Sequence, residues 1–155
     1  MLTLMLHEDA KQELETLSKA LAESDATLLL KVKGEKEARA FHQRGVKDLY
    51  DLVTDMPQVL EEALLADKVV GKGAAALMVM GKVAAVHTKV ISTPALELLK
   101  KHGIPCMYDT EVEHIWNRDK TDFCPVEKRC IPLSKISECY NSISEFIHSH
   151  NLRKC

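Results

Sequence analysis

The chain has 155 residues, of which 46% are hydrophobic and 28% charged, and its formal net charge is −2 with neutral histidines. A chain of this size suits one domain that buries roughly 70% of its unfolded surface, so a core forms without disulfide or metal staples. Lysine and arginine are dispersed and aromatics make up only 5%, which leaves neither the basic footprint of a nucleic-acid binder nor stacking rings for single strands.

Leu6, Ala10, Leu14, Leu17 and Leu21 recur at spacings of three and four, which predicts an amphipathic helix over Leu4–Ala22. The N-terminal segment MLTLMLHEDAKQ lacks the basic start and long apolar run of a signal peptide. No stretch approaches the roughly 18–20 apolar residues of a membrane span. The five cysteines, Cys106, Cys124, Cys130, Cys139 and Cys155, all fall in the last third of the chain. An odd number so placed is a poor disulfide framework, and reduced thiols in the cytoplasm are expected.

A short apolar run, Ala26–Val32, and the alternating Glu37–His42 flank a turn at Gly34-Glu35 and predict a β-hairpin. Gly45 breaks it. A short helix over Val46–Val53 follows, and Pro57 restarts a helical pattern that runs through Leu65. The centre, Ala66–Met80, is nearly all small or apolar and rich in alanine, which predicts a helix pressed against a sheet, with Gly81 as its C-cap. Val83–Ile91 is apolar enough for a central strand. Thr93 as N-cap and Pro94 at the first helical position open a helix over Ala95–His102 that Gly103 stops. Ile104–Tyr108 and Val112–Asn117 are the next strands, Arg118–Leu133 is a polar loop, and Ser134–Ser149 is a closing helix with Ile136, Tyr140, Ile143 and Ile147 on one face. Helices alternating with strands in the middle imply right-handed crossovers and partly parallel strands. The expectation is a single α/β sandwich over residues 1–155.

Three phrases carry a family resemblance: LLADKVVGKGAAALM (Leu64–Met78), VISTPALELLKKHGI (Val90–Ile104) and the CPVE box (Cys124–Glu127). On these the chain resembles domain-of-unknown-function family 1893, an uncharacterised bacterial group within the cytidine deaminase-like superfamily. The match spans about Ala26 to Glu127 and leaves the first helix and the tail after Cys130 outside it. The resemblance implies a cytidine deaminase-like α/β/α sandwich with a mixed central sheet of about five strands. Its parts would be an N-terminal helix over 1–24, a core over 25–130, and a C-terminal helix and tail over 131–155.

A zinc deaminase carries His-Ala-Glu at one central helix start and Pro-Cys-x-x-Cys at the next, and its metal activates water for attack on a base. The corresponding residues here read Leu65-Ala66-Asp67 and Pro94-Ala95-Leu96-Glu97-Leu98. Leu65, Ala95 and Leu98 offer no lone pair to zinc. The resemblance therefore implies no metal, no cofactor and no zinc-hydroxide deamination. It does imply a small-molecule ligand, nucleoside-like or nucleotide-like, bound between the helix starts near Ala66 and Pro94.

Asp67, Lys68 and Lys72 are the first candidates. On the expected helix Lys68 and Lys72 share a face with Asp67 beside it, a pattern that suits an anion at a helix start, with Asp67 as acid, base or ligand contact. The bland alternative is a solvated helix start whose aspartate complements the dipole. Gly71 and Gly73 read as close-packing residues, because no phosphate-loop pattern surrounds them. The resemblance adds Asn117, Cys124 and Glu127 around a loop in which the DKTDF segment departs from the family by its charge. Cys124 is either a nucleophile or redox centre, its pKa lowered by lysines, or a structural cysteine at a proline turn. The Cys124–Cys130 spacing fits neither a CxxC pair nor a usual zinc knuckle, and a metal site with Cys106 or Cys139 is the remaining alternative. Ser92 and Thr93 cap a helix, and the resemblance turns that helix start toward the ligand cleft. His87 reads as a satisfied core or edge histidine, and His114 and Trp116 as sharing one strand face. Three functions stay open: a zinc-free domain binding a nucleoside, nucleotide or other small anionic metabolite; a zinc-independent enzyme using Cys124; and a non-catalytic interaction or regulatory module. Self-association also stays open.

Overall fold

A computed structural model describes residues 8–43, 45–117 and 120–150, with the side chain of His150 excepted. The first helix, α1, runs Glu8–Ala22 and buries Leu14, Leu17 and Leu21 on one face. Glu8 and Asp9 in its first turn and Lys19 in its last complement the helix dipole. Leu4–His7, where this helix was expected to begin, lie outside the described residues.

β1 (Leu28–Lys31) and β2 (Arg39–Phe41) form the expected hairpin, in register Leu28↔Phe41 and Leu30↔Arg39. Gly34 supplies a positive φ of 86° in its turn. α2 runs Lys47–Asp55, and a single 3-10 turn covers Pro57–Val59. Beyond it the expected helical pattern is overturned. Leu64–Val70 is a strand, β3, and the helix α3 starts only at Lys72 and runs to Gly81. The reason is two-sided burial. Leu64 and Ala66 pack against α1, while Leu65 and Val70 face the larger core on the other side. A strand buried on both faces reads as one apolar run, which periodicity alone cannot distinguish from a buried helix.

α3 ends differently from the expected glycine cap. Lys82 takes the left-handed cap conformation, φ 63°, and its N–H bonds to Met78 and Val79 carbonyls. Gly81 is the last helical residue, and a Cβ there would lie 2.6 Å from Leu60 Cδ1. Its small size serves packing. β4 (Ala85–Ser92) and β5 (Cys106–Val112) are parallel to β3, joined through α4 (Thr93–Lys101). The expected strand Val112–Asn117 is not formed; only an isolated bridge joins Trp116 to Phe123. The expected loop Arg118–Leu133 contains a short helix, α5 (Pro125–Cys130), before α6 (Ile136–His150).

The sheet order is β2-β1-β3-β4-β5, with β1 antiparallel to both neighbours. α1 covers one face, over Leu29, Leu64, Ala66 and Ala85. Residues of α2, α3, α4 and α6 close the main core on the other face, against Leu28, Leu30, Leu65 and Val86. No helix among the described residues is long and apolar enough to cross a membrane.

Candidate functional site

Asp67 sits in mid-β3, in register with Leu28 of β1 and Thr88 of β4. Its carboxylate accepts hydrogen bonds from the N–H groups of Lys68 and Val69, yet burial pushes its pKa up to about 7, and the nearby Asp48 carboxylate adds to the rise. Asp48 is in the first turn of α2 and is buried. It accepts the backbone N–H of Gln43 at 3.0 Å and the Gln43 side-chain amide at 2.8 Å. Among the described residues no lysine, arginine or histidine forms an ion pair with Asp67. An enclosed acid without a countercharge, close to a second acid, keeps its proton to unusually high pH. Neutral Asp67 can donate a hydrogen bond as well as accept one.

Lys68 and Lys72 do not share a helix face with it. Lys68 is on β3, and its ammonium points to the Ser24 carbonyl at 3.3 Å. Lys72 is the first residue of α3, and its ammonium donates to the carbonyls of Ile131 (2.9 Å) and Leu133 (2.5 Å). The two cations expected at an anion site are therefore directed at backbone carbonyls. The anion at the α3 start is supplied internally. Glu127, 1% exposed, accepts the Lys72 N–H through Oε1 at 2.6 Å and the Ile115 N–H through Oε2 at 2.9 Å. A carboxylate at a helix N-terminus satisfies free N–H groups and the dipole together. Gly71 makes room for it: a Cβ there would lie 2.9 Å from Glu127 Oε1.

The remaining candidates are tied into the backbone. Ser92, fully buried, is the N-cap of α4, accepting the Ala95 N–H at 3.3 Å, so the cap falls one residue before the expected Thr93. Thr93 donates to Glu111 Oε2 at 2.8 Å and lies 3.2 Å from the Val112 carbonyl. Asn117 pins its own turn, accepting the Thr121 N–H at 3.0 Å; its neighbour Arg118 lies outside the described residues. Cys124 is partly buried at the N-cap of α5, its N–H bonded to the Ile115 carbonyl at 2.8 Å. Cys155 lies outside the described residues, and burial pushes the Cys106 thiol up to about 12.

His87 is partly buried on β4, in a cleft of about 460 Å³ that it lines with Gln12, Glu15, Thr16, Ser18 and Lys19 of α1. Burial lowers its pKa, against the opposing pull of Asp109 and Glu15. His114 and Trp116 do come together, with ring centroids 4.6 Å apart, but in a loop. Phe123 stacks on His114 at 3.7 Å. Asp48 and Phe123 were not singled out from the sequence. Loops bring Gln43 to Asp48 and His114 to Phe123, and no regular spacing marks either one.

The comparison with a zinc deaminase shifts once the strand is placed. Leu65-Ala66-Asp67 is not at a helix start at all. The starts that follow the hairpin and the parallel strands are Lys47-Asp48 of α2, Lys72-Gly73-Ala74 of α3 and Thr93-Pro94-Ala95 of α4, and none carries histidine or cysteine. Among the described residues no cluster of three or more His, Cys, Asp or Glu side chains is placed to hold a metal ion.

A family model described as a domain of unknown function, DUF1893, matches residues 16–147. The chain belongs to the DUF1893 family. The match takes in the second half of α1 and nearly all of α6, both of which the sequence phrases had left outside. A crystal structure of a DUF1893 family protein from Thermotoga maritima is similar to this DUF1893 chain, with 26% identity over 92% of each chain and a TM-score of 0.79. No curated protein matches it.

Proposed function

We propose that this DUF1893 domain is a deaminase-like ligand-binding domain without zinc ligands, and that it binds a small nucleoside-like metabolite beside Asp67. The carboxyl of Asp67, desolvated on a residue that keeps partial exposure, carries this reading. A strongly perturbed acid with no structural countercharge has the character of a functional group, and a pKa of about 7 lets it exchange a proton or hydrogen bond with an amide, amidine or ring nitrogen near neutral pH. The mixed sheet order, with α2 and α3 flanking β3, supports the deaminase-like comparison. The ligand class moves from anionic toward neutral, because Glu127 and Ser92 already satisfy the starts of α3 and α4. With both lysine ammoniums directed at carbonyls, a Cys124 nucleophile activated by them has no support. The domain would work in the cytoplasm without a cofactor.

The test is a thermal-shift comparison of the wild type and Asp67→Asn with cytidine, adenosine, guanosine and their monophosphates at millimolar concentration. A nucleoside should raise the wild-type Tm and leave that of Asp67→Asn unmoved. No rise with any compound, or equal rises in both proteins, refutes the proposal.

A further inference from the structure

Cys130 ends α5 and Cys139 lies in the first turn of α6. Both are buried, at 0% and 1% exposure, in the same apolar core. Cys130 Sγ and Ile143 Cδ1 meet the same Gly73 position, Cys139 lies one turn before Ile143 on α6, and each thiol is the leading influence on the other's titration, so the two sulfurs are neighbours across the α5–α6 contact. Around them stand Lys72, Glu127 and Glu138 as the charged groups. Gly73 packs beneath, where a Cβ would lie 3.4 Å from Cys130 Sγ. The Lys72 ammonium is held near the pair by its bonds to the Ile131 and Leu133 carbonyls. A shared proton and a nearby cation favour the loss of one proton from the pair and hinder the loss of the second, which pushes the Cys139 thiol down and the Cys130 thiol up.

We propose that Cys130 and Cys139 are a reversible redox modification site that closes to an internal disulfide when a small peroxide reaches it. The Cys139 thiolate attacks one oxygen of hydrogen peroxide, the O–O bond breaks, and hydroxide leaves with the bond's electron pair and takes up the proton that Cys139 had released. Cys139 is then a sulfenic acid. The Cys130 sulfur attacks it, the S–O bond breaks, and the Cys130 proton leaves with the hydroxyl as water. Two thiols are oxidised to one disulfide, and one peroxide is reduced to two waters. Peroxide suits the site because it is small enough to enter a nearly closed core. The bond would tie α6 to the helix that carries Glu127, and so hold the carboxylate against the α3 start. This inference does not depend on the ligand at Asp67.

The experiment exposes the full folded chain to hydrogen peroxide and follows intact mass, peptide linkage and Tm. The expected result is a loss of about 2 Da, a Cys130–Cys139 linked peptide, a higher Tm and full reversal by dithiothreitol. Cys130→Ser and Cys139→Ser should each lack the linkage, while the wild-type peptide map decides the matter even if a variant folds poorly. A linkage through Cys106, Cys124 or Cys155, oxygen addition without any linkage, or reaction only after unfolding in urea overturns the proposal.

Discussion

Asp67→Asn should make the protein more stable at neutral pH. The carboxyl ordinarily titrates near 3.8 and here near 7, a rise of about 3 units, and at 1.36 kcal/mol per unit the ceiling is about 4 kcal/mol. Asp67 keeps some solvent contact as a residue, so the expected gain is smaller, about 2 kcal/mol. A raised folded-state pKa contributes full stability below the unfolded value and loses it as pH rises. In the unfolded chain the acid ionises near pH 4, while in the native state it stays protonated to about pH 7. The penalty grows across that window and is complete above it. Asparagine keeps an oxygen for the Lys68 and Val69 N–H groups and removes the charge facing Asp48. Urea unfolding of both proteins at about pH 4.5, 6 and 8 measures the difference with all other titrations cancelled. The gap should be small at the lowest pH and widest at the highest. A constant separation across the range would mean that Asp67 ionises normally, and the argument for its enclosure fails.

Glu127→Ala should cost about 2–4 kcal/mol, because it strands two part-buried N–H donors and removes the carboxylate from the α3 start; urea unfolding reads it, and a loss under about 1 kcal/mol contradicts the clamp. Gly73→Ala should destabilise more than Gly71→Ala, since the added Cβ would meet Val126 Cγ1 at 2.4 Å in the first case and Glu127 Oε1 at 2.9 Å in the second; the order of the two Tm values checks it. Ser92→Ala should lose about 1 kcal/mol through the α4 cap, whereas Thr93→Val leaves that cap intact. Lys72→Met should lower Tm, because the Ile131 and Leu133 carbonyls lose their donor.

The amphipathic helices were legible because one buried stripe sets their period. Leu14, Leu17 and Leu21 announce α1, and Ile143 and Ile147 announce α6. The hairpin was legible from its turn and alternation. β3 was not, because burial on both faces erases alternation, and the boundary at Gly71 was hidden by alanines that suit a helix on either side of it. The α4 cap was misplaced by one residue because Ser92 and Thr93 are equally good caps by type, and only burial chooses between them. Asp67 stands out in the sequence as an acid amid apolar residues, but its neighbours on β1, β4 and α2 come from folding and not from spacing. Glu127 stands out in the sequence through its CPVE box, but its pairing with the N–H of Lys72, 55 positions away, does not. What looked like a ligand contact is the anion that the fold itself presents to α3.

That carboxylate also sets an order of events. Lys72 and Glu127 are 55 positions apart, so the start of α3 cannot be completed by its own surroundings. During synthesis the first N–H groups of α3 are met by water until Glu127 has been made. Only when the chain has passed α5 does the segment after β5 draw in and the helix start close. Glu127 thus acts as a latch on the start of α3, and local opening of the native protein should begin there, with α5 exchanging its amide hydrogens ahead of the central strands.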